Sequence, residues 1–232
     1  MKVLVVAAHP DDEVLGCGGT VLRHVAGGDE VFIAILGEGV MARADGRNKS
    51  RLSKERDRVR DAAVRVARAL GAGDLFRHDF PDNRMDQVPL LEIVKVVEGV
   101  LTRFRPDRVY THFANDLNID HCMISRAVVT ASRPLSTQTV PEIYAFETLS
   151  STEWAFGPSE GFKPDTFVEI SSFLEKKIEA MSLYETETSP FPHPRSAEAI
   201  RALAMRRGSQ SGLRCAEAFM LVRKIVPETK VG

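Results

Sequence analysis

Residues 3–8, VLVVAA, form an unbroken apolar run rich in β-branched side chains. It lacks the alternation of a half-solvated strand and predicts a strand buried on both faces of a parallel sheet. That narrows the fold sharply, because a parallel sheet needs helices over both faces. The run ends abruptly in charge, with His9, Pro10, Asp11, Asp12 and Glu13 following it. In open α/β sheets ligands bind outside the carboxyl ends of the strands, which is where these residues fall.

Their spacing suggests the chemistry. His9 and Asp12 are three positions apart, so both face the same side if a helix begins near Pro10, an arrangement that suits a divalent cation. Asp11 then points elsewhere and is free to act as a base beside a water on that cation. Helix capping accounts for one of the acids, but not for three next to a histidine. The GCGG that follows (residues 16–19) lacks the order of a dinucleotide fingerprint and precedes no new strand. Its glycines fit a backbone that approaches the sheet or a ligand closely.

The rest of the chain continues the pattern. Helices are expected over 14–26, 50–70, 89–104, up to 132, 171–184 and 197–207, and strands over 30–36, 74–80, 108–111, 142–148, 167–170 and 216–225. The helix at 89–104 carries an apolar stripe of Leu91, Val94, Val97 and Leu101. These elements predict a Rossmann-like α/β fold, a mostly parallel sheet between two helical layers, in one domain spanning 1–232. In a doubly wound order 3-2-1-4-5 the first and fourth strands are neighbours, and their carboxyl ends open into one crevice. The fourth strand runs into HFANDLNIDH, residues 112–121. His121 is thereby placed opposite His9 as a third ligand, completing a His/Asp/His set, and Asp120 is placed to hold a neighbouring group by a hydrogen bond. Asn83 and Arg84, in a turn after the third strand, are candidates to reach a polar substrate. Arg195, beside Ser196 at a helix amino terminus, resembles an anion or hydroxyl clamp. The polar stretch 37–49 reads as a mobile lid, and Arg43, Arg47, Arg51, Arg84 and Arg195 suit an anionic substrate if they converge.

Composition removes other classes. A formal net charge of -1 argues against general nucleic-acid binding. Three cysteines with no CxxC fit a reducing cytosol and no thiolate metal site. No apolar stretch approaches the ~20 residues of a membrane helix. A cytoplasmic protein is expected.

The string AHPDDE at residues 8–13, with THxxNDxxxDH at 111–121, resembles the PIG-L/LmbE family of zinc-dependent N-deacetylases. The resemblance implies a Rossmann-like fold and hydrolysis of the N-acetyl group of a small N-acetylglucosamine-type sugar. It implies one zinc ion per chain on His9, Asp12 and His121, with Asp11 as general base, and assembly into trimers or hexamers. Another divalent metal suits the same donors. The chain departs from the pattern at Asn118, where many members carry a histidine. An amide donates a hydrogen bond to an oxyanion but delivers no proton, so a general acid would be Asp11 after its base step, or Asp116 or His112, both also candidate substrate contacts. Two alternatives stand beside this: the same metal centre cleaving another amide, such as a thiol conjugate, and a binding domain without catalysis.

Overall fold

A computed structural model describes residues 1–39, 49–134, 139–157, 160–226 and 228. Residues 40–48 of the expected lid at 37–49 lie outside them, as do Arg43, Arg47 and the side chain of Arg51.

Strands β1 (Lys2–Ala7), β2 (Glu30–Gly37), β3 (Asp74–Phe80), β4 (Arg108–His112) and β5 (Glu142–Phe146) alternate with helices α1 (Asp12–Ala26), α2 (Lys49–Leu70), α3 (Leu90–Phe104) and α4 (Ile119–Ala131). Strand β6 (Thr166–Glu169), helices α5 (Leu174–Ser182) and α6 (Ala197–Ser211), and strand β7 (Ala216–Lys224) complete the order. All seven strands form one sheet, β3-β2-β1-β4-β5-β7-β6. The first five are parallel, as their apolar composition and intervening helices predict. Strand β7 enters between β5 and β6 and runs antiparallel to both.

The pleat of β1 explains its unbroken apolar character. Val3, Val5 and Ala7 pack into one core with α1, α2, α5 and α6, whereas Leu4, Val6 and Ala8 pack into the other with α3 and α4. From Val3 onward each face of the strand therefore has its own core, and no position is left for a polar side chain. In α3 the buried face is Ile93, Val94, Val97, Val100, Leu101 and Phe104. Leu91, expected in that stripe, is exposed, because in the first turn it lies at the flank of the face that meets the sheet.

Helix α1, which carries Asp12, is broken at Cys17, whose φ of -149° and ψ of 21° are not helical. The GCGG sequence permits this and a close approach to the sheet. A Cβ added to Gly16 would lie 2.2 Å from the Phe146 ring, and one added to Gly19 would lie 2.8 Å from Ile170. In an unbroken helix the Gly19 N–H would bond the Leu15 carbonyl. Here a buried ion pair serves that pair of groups instead. Lys177 Nζ donates to Leu15 O at 2.8 Å and to Glu217 Oε1 at 2.6 Å, and the Glu217 carboxylate accepts the Gly19 and Thr20 N–H groups at 2.9 and 2.6 Å. Lys177 and Glu217, from α5 and β7, thus hold the break in α1 against the sheet. Lys177→Met is expected to lower stability by about 3–5 kcal/mol, since it leaves a buried carboxylate without its cation. Urea denaturation measures this, and a loss below about 1 kcal/mol would contradict the assignment.

Candidate metal centre

The β1–α1 turn is held in an unusual conformation. Asp11 has φ 110°, a region that L residues other than asparagine and aspartate rarely enter. Its N–H donates to Glu13 Oε2 at 3.0 Å, and Tyr184 OH donates to Glu13 Oε1 at 2.6 Å. Burial pushes the Glu13 carboxyl up to about 7 against the lowering effect of these donors. The same turn closes on itself through the His9 N–H, which donates to Asp12 Oδ2 at 2.8 Å.

Because β1 and β4 are neighbours, the amino terminus of α4 reaches this turn. Asp12 Oδ2 lies 3.4 Å from His9 Nδ1 and 3.3 Å from His121 Nε2, and the donor atoms of all three residues lie within 4.8 Å of one another. For a tetrahedral ion with ligands at 2.0–2.1 Å the ligand–ligand edge is about 3.3–3.4 Å, so these spacings fit such an ion. Both rings have a carboxylate behind them. Asp120 Oδ2 is 2.9 Å from His9 Nε2, and Asp116 Oδ1 is 3.1 Å from His121 Nδ1, which turns His9 Nδ1 and His121 Nε2 toward Asp12.

The electrostatics are those of a cation site. Burial works against a charged ring at His9 and His121. At His9 the hydrogen bonds to Asp12 and Asp120 prevail and raise its pKa well above the usual value. At His121 the nearby carboxylates of Asp12 and Asp116 raise it to about 9. Burial likewise disfavours the Asp12 carboxylate, but the charges of His121 and His112 hold it well below the usual range. Asp11 differs: burial drives its carboxyl well up, and the neighbouring Arg195 opposes this without cancelling it.

His9, Asp82 and Asp120 form a second cluster of possible ligands on the other ring nitrogen of His9. Asp120 also accepts the backbone N–H groups of Asn83 at 2.6 Å and Met85 at 2.9 Å, so its oxygens are largely taken. This favours the set built on Asp12.

The remaining candidates fall into distinct places. His112, the last residue of β4, is wholly buried, accepts the Ala8 N–H on Nε2 at 2.8 Å and stacks on His121 at 3.9 Å between ring centroids. Burial lowers its pKa well below the usual value, and the charge of His121 adds to this. Asp116 is also buried and accepts from Ser151 Oγ, Thr152 Oγ1 and the Asn118 N–H. Both sets of polar atoms are directed at protein groups, in packing and support around His121. Asn118 caps α4: its Oδ1 accepts the Asp120 N–H at 2.9 Å, and its Nδ2 donates to Asn83 Oδ1 at 3.1 Å. Asn83 and Arg84 are exposed at the rim. Arg195 meets Asp11 rather than open space, with Nη1 2.7 Å from Asp11 Oδ2.

Sequence reasoning missed Asp82, Tyr184, Glu187 and the Ser150–Thr152 turn. Asp82 and the last had a usable signal, since they follow β3 and β5 at the carboxyl end of the sheet.

The family model for PIG-L, GlcNAc-PI de-N-acetylase, matches residues 4–132, which include every residue of the two histidine-bearing clusters. The chain belongs to the PIG-L family. This PIG-L protein is 27% identical over 188 residues to a probable N-acetyl-alpha-D-glucosaminyl L-malate deacetylase 2 of Bacillus cereus, covering 80% of this chain and 83% of the relative. It is 29% identical over 197 residues to a 4-oxalmesaconate hydratase of Pseudomonas putida, covering 78% and 71%. Its fold matches the crystal structure of a conserved protein from Thermus thermophilus with a TM-score of 0.76 at 26% identity, over 99% of this chain and 98% of that one. Among the described residues of this PIG-L protein, no helix is long and apolar enough to cross a membrane.

Proposed function

We propose that this enzyme is a zinc-dependent N-deacetylase that removes the acetyl group of an N-acetylglucosamine-type sugar or conjugate. One observation carries the reading: His9, Asp12 and His121 converge with the spacing of a tetrahedral ion, while Asp11, one residue away, is held outside that set. The family description and the deacetylase named among its relatives support the sugar substrate.

His9 Nδ1, Asp12 and His121 Nε2 would hold the ion, which when bound supplies Lewis acidity toward the acetamide carbonyl and lowers the pKa of water. Asp11 accepts the proton of the attacking water and returns it to the departing amine, a double role that its burial-raised pKa suits. Asn118 donates toward the oxyanion through Nδ2. Its amide cannot turn over without losing the cap on α4, so the donor face is preset. Asp120 and Asp116 keep the two imidazoles in place, and Asn83 and Arg84 meet the polar groups of the sugar at the rim.

The similarity to the hydratase favours a second reading, addition of water to an unsaturated acid at the same centre. A panel of N-acetylglucosamine derivatives differing in aglycone, assayed for acetate and free amine with zinc and with chelator, tests both. Deacetylation predicts equal acetate and amine that vanish with chelator and return with zinc. Zinc-loaded protein that releases no acetate from any of them, but hydrates an unsaturated oxo-tricarboxylate, overturns it.

A further inference from the structure

Arg195 lies in the loop ahead of α6, far in sequence from the metal-binding motifs, and two of its guanidinium nitrogens are committed to protein groups. Nη1 lies between Asp11 Oδ2 at 2.7 Å and Glu187 Oε2 at 2.8 Å, and Nε donates to Ser150 Oγ at 2.7 Å. Its side chain is only 21% exposed, and those of Asp11 and Glu187 are 2% and 6% exposed. The anchors are themselves fixed. Glu153 accepts the Ser150 N–H at 2.6 Å, and Ser196, the next residue, caps α6 by accepting the Ala199 N–H at 3.0 Å. Among the described residues no other cationic side chain touches the Asp11 carboxylate.

These contacts tie three loops together: the turn after β1, the turn after β5 and the segment between α5 and α6. They also set the guanidinium charge against the Asp11 carboxylate as an ion pair, with Nη1 2.7 Å from Oδ2 but without the alignment of a hydrogen bond. A guanidinium presents donors along two edges in one plane and serves Asp11, Glu187 and Ser150 together, which a lysine ammonium on its flexible stem does not. An anion clamp would turn its charge on the substrate, whereas here two carboxylates of the same chain already take it up.

We propose that Arg195, anchored by Glu187 and Ser150, is a positioning residue that aims the Asp11 carboxylate at the reacting water, and that it is not a substrate contact. The inference rests on Asp11 being the general base. A misplacement of about 1 Å in a reacting group costs on the order of 10²-fold in rate, which sets the expected size of the effect.

The test compares Arg195→Gln, Arg195→Lys and Glu187→Gln with the wild type in four readouts: zinc per chain, kcat, KM and the crystal structure of the zinc-loaded protein. Arg195→Gln is expected to lose about 10²-fold in kcat with KM and zinc unchanged, and its Asp11 carboxylate should rotate away from its wild-type place. Arg195→Lys should recover only part of kcat. Glu187→Gln, which keeps the guanidinium and loosens its anchor, should show a smaller fall of the same kind and gives the answer if the Arg195 variants do not fold. A raised KM at unchanged kcat would make Arg195 a substrate contact, and loss of zinc together with kcat would make it part of the metal site. Either result overturns the proposal, as does an Asp11 carboxylate that keeps its wild-type position in Arg195→Gln. Wild-type protein that carries zinc but releases no acetate would instead refute the deacetylase reading, and the crystallographic comparison would still decide whether Arg195 places Asp11.

Discussion

Replacing Asp11 by asparagine is expected to cut acetate release by about 10²–10⁴-fold, the range for loss of a general base, while the protein keeps its metal. Asparagine is the informative substitution here. It matches aspartate in shape, and it tolerates the positive φ of this position better than alanine does. The backbone bond from residue 11 to Glu13 can therefore persist, and a fall in rate then reports the missing carboxylate rather than a disturbed turn. Bound metal should stay at the wild-type level, because the converging donors come from His9, Asp12 and His121. Loss of metal in this variant would make Asp11 a ligand and leave the water without its base.

Asp12→Ala is expected to give the opposite pattern, with metal and activity lost together. Its Oδ2 is the corner at which the site is built, facing His9 Nδ1 and His121 Nε2 and accepting the His9 N–H. Equilibrium dialysis followed by metal analysis should find no stoichiometric ion, and stoichiometric retention would contradict the ligand set. The metal-free protein offers a second reading of the same contact. With its pKa raised from 6.5 to about 9, partly by Asp12, His121 contributes stability that is complete below about pH 6.5 and is lost as the pH rises through about 9. Asp12→Ala should flatten that alkaline loss.

Much of this was legible in the chain itself. The apolar run of β1 requires two covered faces, and the alternation of strands with helices then places β1 beside β4, so that His9 and His121 meet although 112 positions separate them. Local sequence does not encode partner choice, however. Strand β7 reads as a strand from composition alone, but its place between β5 and β6, antiparallel to both, depends on packing against α6 and on Glu217 reaching α1. For the same reason sequence shows the chemistry of Asp116 and His112 but not that the strand end and loop bury both side chains. Arg195 resembled an anion clamp, and the anion it meets is Asp11 of its own chain.

Two distant segments bring the donors of His9, Asp12 and His121 together on the Asp12 side of His9. Anomalous diffraction from zinc-loaded crystals, recorded on both sides of the zinc absorption edge, tests directly whether they share one ion. One peak within about 2.0–2.2 Å of His9 Nδ1, an Asp12 oxygen and His121 Nε2, with the Asp11 carboxylate outside that distance, is the predicted result. A peak on the Nε2 side of His9, between Asp82 and Asp120, would contradict it.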